Sequence, residues 1–368
     1  MQRSETVKEV NGPVSSPKVA FTHYSYTALK LAACNFAGIV FGIATEKGKV
    51  YAPSVIRGQM LFNQFTMVKV FLSAVATGSC CFVVLAALPQ TRKLFSYIQE
   101  EFVGGVNKRQ TAAFVIGGGI TGSGHGSSWS VSWHGYTTGV QWNKQCMDGD
   151  GWLFLGSISL WFEIWLHSTL GLPFIPTAIA FASTLGAVTV LLEYLYPWQN
   201  ETVMSGGGGY LSQIAWSPIV AGVMMGCMQI PVVLTVNAPL GSSRSYCAML
   251  SCAMTPTGLS HAVPYFKKFY SGIGNWWQVI FWAGAGLGAA LSAYLSSSWG
   301  TLHNSTPLVC LVGGTCLVFG ARFAQGCTSG HGLSGMALLS LPSFAAVCAM
   351  FAGGIGTSLL LQSFHYEL

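Results

Sequence analysis

Charged side chains are scarce in this chain of 368 residues. Asp, Glu, Lys and Arg together make up 8% of it, while 51% of the residues are hydrophobic. A soluble protein usually carries about three times that share of charge. So few charges cannot solvate a globule of this size, which excludes an ordinary soluble enzyme. The composition predicts an integral, multi-pass membrane protein in contact with the lipid bilayer, and we expect it in the plasma (cell) membrane.

Four features also lack their sequence signals: structural zinc, a disulfide scaffold, a nucleic-acid surface and a serine nucleophile. The 11 cysteines lie mostly in apolar runs without C-x-x-C spacing or a Cys/His framework, which argues against structural zinc and a disulfide scaffold. The basic residues are scattered, so no nucleic-acid partner is expected. The sequence Gly-Ser-Ser-Arg-Ser at 241–245 lacks the spacing of a serine nucleophile elbow. We therefore expect no metal, no cofactor and no enzymatic activity.

The apolar residues fall into about nine stretches that could form membrane-spanning helices, so an all-α membrane fold is predicted. These stretches lie near 26–44, 66–88, 110–122, 151–171, 174–196, 215–236, 275–296, 307–324 and 342–362. Residues 1–24 are polar and are predicted to form a mobile tail. The first transmembrane half is placed at 25–200 and the second at 201–368.

Glycine is abundant, with 45 residues, and it concentrates between the predicted spans. Three pieces rich in Gly, Ser and Pro, at 50–66, 237–256 and 325–340, are too apolar for exposed loops and too short to cross a bilayer. Irregular backbone survives at membrane depth only where protein or a wet cavity satisfies its polar groups. We therefore predict re-entrant half-helices along a permeation path.

An internal duplication relates the two halves. The segment Ala37-Gly-Ile-Val-Phe-Gly42 recurs as Ala221-Gly-Val-Met-Met-Gly226, and Ser123-Gly-His-Gly126 recurs as Ser329-Gly-His-Gly332. Similar halves with broken helices at corresponding positions are typical of transporters built from repeats, whose site lies between the halves. Two pseudo-symmetric, inverted halves are predicted.

The most informative segment runs from 320 to 335. Arg322 ends an apolar span, Cys327 stands between glycines, and a new helix is predicted after His331. Free backbone N–H groups at the start of a half-helix attract anions. The alternative interpretation is that Cys327 is a small buried hydrophobe and that the glycines serve packing.

A second half-helix start lies at 239–247, where Ser242 and Ser243 can cap the helix. Arg244 follows; it either attracts a solute or only extends to the membrane interface, and the sequence leaves both open. We predict that the two helix starts share one cavity, with Arg244 and Arg322 farther out as attracting charges. The residues predicted to line this cavity are Gly326, Cys327, Thr328, His331, Ser242 and Ser243.

Residues 326–332, Gly-Cys-Thr-Ser-Gly-His-Gly, resemble the second-half signature of the YeeE/YedE family, a sulfur-transport domain whose characterised members take up thiosulfate. Other matching pieces are Phe41-Gly-Ile-Ala-Thr-Glu-Lys-Gly-Lys-Val-Tyr51, Arg57-Gly-Gln-Met60, Leu240-Gly-Ser-Ser-Arg-Ser-Tyr246, Gly274-Asn-Trp-Trp-Gln278 and Gly353-Gly-Ile-Gly356. The similarity covers most of residues 30–105 and 175–362. It implies an hourglass-shaped helical protein with cysteines at a central constriction that interact with the passing sulfur anion.

The sequence departs from this family pattern at two places. Tyr51 stands where transporting members commonly carry a cysteine, and the glycine-rich stretch from Gly117 to Gly151 has no cysteine at the expected position. Of the family's cysteines, only Cys327 has a clear counterpart here. The first half therefore offers no cysteine at the two positions where the family resemblance implies contact with the solute.

The leading hypothesis is a permease for thiosulfate or a related small sulfur anion, in which a neutral Cys327 thiol donates a hydrogen bond to the solute. Two alternatives stay open. One is a membrane sulfurtransferase that forms a persulfide on Cys327, which would need a sulfur-acceptor protein of unknown identity. The other is a degenerate, non-transporting paralogue, suggested by the two missing cysteines.

Overall fold

The computed structural model describes residues 17–107, 111–128, 164, 171–201, 210–255, 268–298 and 307–363. Regular structure in these ranges is helical. The α-helices are α1 (Pro17–Lys47), α2 (Pro53–Met60), α3 (Thr66–Ala87), α4 (Arg92–Asn107), α5 (Thr111–Ser128), α6 (Phe174–Leu195), α7 (Trp198–Glu201), α8 (Pro218–Cys227), α9 (Gln229–Val236), α10 (Ser243–Met254), α11 (Ile273–Leu295), α12 (Pro307–Phe323) and α13 (Leu341–Ser363). A 3₁₀ turn covers Tyr210–Ser212 and a π-helical segment covers Thr328–Gly335.

Six helical segments in the described ranges are long and apolar enough to cross a membrane, whereas about nine spans were predicted. They lie in α1, α3, α6, the α8–α9 pair, α11 and α13. The predicted spans at 110–122 and 307–324 correspond to α5 and α12, which have 18 and 17 residues and are not among the six. The predicted span at 151–171 lies outside the described residues except for Ile164 and Gly171.

Two predicted boundaries differ from the structure. Helix α1 begins at Pro17, so residues 17–24 of the predicted polar tail are helical, while residues 1–16 lie outside the described part. The predicted span at 215–236 is divided into α8 and α9 at Met228. Pro231 explains this division because it has no backbone N–H to donate to the carbonyl of Cys227, one turn earlier.

The three glycine-rich pieces between the spans each contain a short helical segment, as their composition predicted. Helix α2 occupies the first piece, α10 the second and the π-helical segment the third. Each begins after a residue without α-helical backbone angles: Ala52, Ser242 and Cys327. The chain is thus interrupted at these three points, which leaves backbone donors unsatisfied by the helices themselves.

Helices α1 and α11 contact each other through glycines on both sides. Gly38 and Gly42 of α1 face backbone carbonyls of α11, and Gly284 and Gly288 of α11 face backbone carbonyls of α1. A Cβ atom at any of these four positions would overlap the backbone opposite. The two backbones therefore touch directly, as in close helix pairs of membrane proteins.

Helices α3 and α8 form a second glycine-mediated pair. A Cβ atom on Gly222 would lie 2.5 Å from the carbonyl oxygen of Val70, and one on Gly226 would lie 2.6 Å from that of Ala74. Gly222 and Gly226 are the residues that the duplication matches with Gly38 and Gly42. Both copies of the repeated segment thus contact a partner helix through two glycines four residues apart.

A buried ion cluster anchors the beginning of α3. The Lys69 side chain is fully buried, and its Nζ lies 3.0 Å from Glu193 Oε2 and 3.5 Å from Glu201 Oε2. It also donates to the carbonyl of Tyr196 at 2.6 Å. Burial of a cation is tolerated only when it is paired in this way. The cluster joins α3 to the turn between α6 and α7.

A second ion cluster lies at the end of α1, at Glu46, which is 1% exposed. Its carboxylate lies 2.7 Å from Lys49 Nζ and 3.3 Å from Lys47 Nζ, and it accepts a hydrogen bond from Ser292 Oγ at 2.7 Å. Because Ser292 belongs to α11, this cluster reinforces the pairing of α1 with α11.

Candidate functional site

Two of the chain interruptions meet at one point. The Sγ atom of Cys327 lies 2.8 Å from Ser242 Oγ and 2.9 Å from Ser329 Oγ. Ser242 immediately precedes α10, and Cys327 immediately precedes the π-helical segment. The first turns of two helical segments from different parts of the chain therefore begin side by side, and the positive ends of their dipoles lie close together.

Cys327 caps the segment that it precedes. Its backbone is extended, with φ −99° and ψ −179°, and its Sγ accepts a hydrogen bond from the Gly330 N–H at 3.4 Å. Gly326, just before it, has no room for a side chain, since an added Cβ would lie 2.5 Å from His331 Nε2. The glycine is thus required for the chain to pass closely under the imidazole.

His331 ties this interruption to the rest of the second half. Its Nε2 lies 2.9 Å from the Ala324 carbonyl oxygen, and its Nδ1 lies 3.0 Å from Ser343 Oγ. A carbonyl can only accept, so Nε2 carries the hydrogen, and Nδ1 lies within hydrogen-bond distance of the Ser343 hydroxyl. The ring is therefore oriented from two sides, by the end of α12 and by α13.

Gln229 connects both interruptions through a closed set of hydrogen bonds. Its Nε2 donates to Ser334 Oγ at 2.8 Å, and the Ser334 hydroxyl donates to the Leu240 carbonyl at 2.7 Å. The Leu240 N–H in turn donates to Gln229 Oε1 at 3.2 Å, which closes the set. Gln229 is 1% exposed and Ser334 is fully buried, so these bonds have no competition from water.

We expect Ser334→Ala to lower the free energy of unfolding by about 1–2 kcal/mol, because the Leu240 carbonyl and the Gln229 amide both lose a buried partner. Thermal unfolding of the detergent-solubilised protein measures the loss. The control is Ser183→Ala on α6, since Ser183 is exposed and donates only to Ile179 of its own helix, at 2.8 Å. Equal melting temperatures for the two variants would contradict a linking role for Ser334.

The first turn of α10 is held by two neighbouring helices. Gln278 of α11 accepts from the backbone N–H of Arg244 at 3.0 Å, and Arg322 of α12 donates through Nη1 to the Ser243 carbonyl at 3.3 Å. The Arg322 guanidinium also lies 5.8 Å from the ring centre of Phe269. Arg322 thus positions a half-helix in addition to supplying charge.

A cavity of about 340 Å³ opens beside these two helix starts. Its innermost lining residues are buried: Leu240, Trp277 and His331 are each at most 2% exposed. Its outer lining includes the exposed side chains of Glu101 and Arg244. The cavity therefore has a closed floor and a charged mouth.

The structure brings together most of the residues predicted from the second half. Four of them line the cavity: Gly326, His331, Ser243 and Arg244. Ser242 and Cys327 are buried beside the lining and contact each other.

Arg244 and Thr328 differ in position from the predicted arrangement. Arg244 lines the cavity itself, although it was expected farther out. Arg322 is not among the described lining residues, and Thr328 is exposed at the start of the π-helical segment. Whether any of these residues binds a solute stays a prediction.

The first half supplies no equivalent thiol in the described residues. The Tyr51 hydroxyl donates a hydrogen bond to Glu46. Burial of Tyr51 raises its pKa most, the negative charge of the Glu46 carboxylate raises it further, and together they bring this pKa to about 12. It therefore belongs to the ion cluster at the end of α1. Ser123-Gly-His-Gly126 continues α5 as regular helix, and Cys146 lies outside the described residues.

Sequence reasoning missed four residues that shape the site: Gln229, Ser334, Gln278 and Glu101. Gln229 offered a signal, because it is the one amide in an otherwise apolar stretch from Pro218 to Val236. Glu101 offered none, since an acid on a short amphipathic helix is usually a solvated surface residue.

Comparison with known protein families finds a match that covers more than half of the chain. The sequence model of a family described as sulphur transport matches residues 104–356, which is more than half of the chain and includes both interruptions at Ser242 and Cys327. No match was found among the curated proteins.

Proposed function

This chain belongs to the sulphur transport family, the YeeE/YedE family, and from that premise we propose that it passes thiosulfate or a related small sulfur anion through the cavity beside Ser242 and Cys327. The family and the six apolar helical segments support a sulfur-related transport role in a membrane over an enzymatic one. The plasma membrane is the proposed location.

The observation that carries the proposal is the contact between Ser242 and Cys327 at 2.8 Å, where two helical segments begin. Each helix start contributes roughly half a positive charge to an anion nearby. The Ser242 and Ser329 hydroxyls add donors that can rotate toward a solute. A dianion can thus be stabilised without a buried full counter-charge, which leaves it free to dissociate.

The thiol supplies selectivity for sulfur. Thiosulfate carries its softest, most polarizable atom at one end, and a neutral Cys327 thiol can donate S–H to that sulfur. The Ser242 and Ser329 hydroxyls lie 2.8 and 2.9 Å from Sγ, and each can accept a hydrogen bond from the thiol or donate one to it when the thiol turns toward a solute. A thiolate would repel a dianion, so hydrogen bonding by the neutral thiol is the proposed interaction.

The proposed path runs between two related, inverted halves. The support is the pair of glycine contacts: Gly38 and Gly42 of the first repeat touch α11, while Gly222 and Gly226 of the second repeat touch α3. Each repeated segment thus packs on a helix of the other half. Such reciprocal packing is expected when two related halves are joined around a common interface. The hourglass shape with a constriction between the halves is part of this proposal, as the family resemblance implies.

Uptake of radiolabelled thiosulfate into proteoliposomes tests the proposal. We expect saturable uptake above that of protein-free liposomes, with unlabelled thiosulfate competing more strongly than sulfate, because sulfate lacks the terminal sulfur. Uptake no greater than in protein-free liposomes would overturn the transport proposal. Absence of any thermal stabilisation by thiosulfate as well would favour the non-transporting paralogue.

A membrane sulfurtransferase is the second candidate, favoured by the hydrogen bond from the Gly330 N–H to Cys327 Sγ at 3.4 Å. Such a donor also stabilises a thiolate. The thiolate would attack the outer sulfur of thiosulfate, whose S–S bond breaks; sulfite leaves with the electron pair and Cys327 keeps a persulfide. A stable mass gain of roughly 32 Da with stoichiometric sulfite release would favour this candidate.

A further inference from the structure

Among the described residues, the cavity mouth has one charge of each sign. Arg244 reaches it from α10, and Glu101 reaches it from α4, a helix that is not among the apolar segments able to span a membrane. Ile98, one turn before Glu101 on α4, is 2% exposed and also lines the cavity. Helix α4 is therefore anchored against the cavity by its apolar face and presents a carboxylate to the mouth.

The orientation of Glu101 is supported by Tyr97, one turn earlier on α4. The hydrogen bond between the Tyr97 hydroxyl and the Glu101 carboxylate, with the charge of that carboxylate, raises the pKa of Tyr97. Glu100, the adjacent acid, is exposed and is not among the described lining residues. Both acids are thus exposed, but of the two only Glu101 is among the described residues that line the cavity.

We propose that Glu101 weakens the binding of a dianion at the cavity mouth and so speeds its release. This inference rests on the proposed function. The single negative charge of Glu101 repels both charges of a dianion, whereas the single positive charge of Arg244 attracts both. With both present these two charges oppose each other, and the anion is drawn inward by the helix starts near Cys327 instead of being retained at the mouth.

Binding of radiolabelled thiosulfate to the purified, full-length protein tests this role, with Glu100→Gln as the matched control on the same helix. We expect Glu101→Gln to lower the thiosulfate Kd about fivefold at low ionic strength, from the repulsion between one carboxylate and a dianion in a water-like medium. In proteoliposomes, the same variant should lower both KM and the maximal uptake rate, since release becomes slower.

Two further measurements separate electrostatics from a structural role. Glu101→Asp keeps the charge and should stay within about twofold of the wild type, and the effect of Glu101→Gln should largely vanish at about 0.5 M salt, where charges are screened. An unchanged Kd in Glu101→Gln, or the same change in Glu100→Gln, would overturn the inference while leaving the proposed function intact. Absence of thiosulfate binding and uptake by the wild type would overturn both.

Discussion

Replacing Cys327 by alanine is expected to lower thiosulfate uptake at least about tenfold. The substitution removes the thiol from the point where Ser242 Oγ, Ser329 Oγ and the Gly330 N–H converge. A hydrogen bond to a charged group contributes roughly 1.5–3 kcal/mol, which corresponds to a ten- to hundredfold change. Initial rates of labelled thiosulfate uptake, normalised to the amount of reconstituted protein, measure the loss.

The matched control is Cys247→Ala. Cys247 is also a buried thiol, 5% exposed, and it lies on α10, but it is not among the described residues that line the cavity. We expect near-normal uptake in this variant. Undiminished uptake in Cys327→Ala would remove Cys327 from the mechanism, and an equal loss in Cys247→Ala would indicate a general packing defect.

Cys327→Ser separates the two chemical roles proposed for this residue. A serine hydroxyl can still donate a hydrogen bond at the same position but cannot form a persulfide. We therefore expect partial uptake in Cys327→Ser if the thiol acts by hydrogen bonding. If persulfide formation carries sulfur, Cys327→Ser should be as inactive as Cys327→Ala.

Replacing Gly288 by alanine is expected to lower the free energy of unfolding by about 2–3 kcal/mol. A Cβ atom at Gly288 would overlap the backbone carbonyl of Ile39 on α1. This contact lies in the glycine-mediated pair of α1 and α11, where a rigid backbone on the opposite side cannot move aside as a flexible side chain can. The two helices must separate to accommodate the methyl group.

Gly286→Ala provides a control two residues away on the same helix. An added Cβ at Gly286 has no atom within 4 Å, so the variant gains the helix propensity of alanine without a clash. Thermal unfolding in detergent should place Gly288→Ala about 3–4 °C below the wild type and Gly286→Ala at or slightly above it. Similar melting temperatures for the two variants would show that α1 and α11 do not contact each other as described.

The helical architecture followed from local properties of the chain. The apolar runs predicted helices because a backbone in lipid must satisfy its own hydrogen bonds, and the described part of the chain is helical. The pieces rich in Gly, Ser and Pro predicted interruptions, and short helical segments lie at all three. The number of spans was less well predicted, since two of the predicted spans are short helices and a third lies almost entirely outside the described residues.

The site could be located from the sequence only in part. Ser242 and Cys327 were predicted to share a cavity because both precede half-helices, and the structure places them in contact. Arg244 and Arg322 could not be told apart from their positions in the sequence. Only the tertiary structure shows Arg244 lining the cavity and Arg322 binding the Ser243 carbonyl.

The sequence by itself determined the membrane character of this protein, its family and the positions where its helices break, because these depend on composition and on residues that are neighbours along the chain. The tertiary structure alone decided which breaks meet, which glycines touch a partner helix and that Glu101 faces the cavity containing His331. These depend on packing between segments far apart in the sequence. Such contacts leave no local pattern, because a glycine in a tight interface and a glycine facing open space, such as Gly288 and Gly286, are the same residue in the same helix.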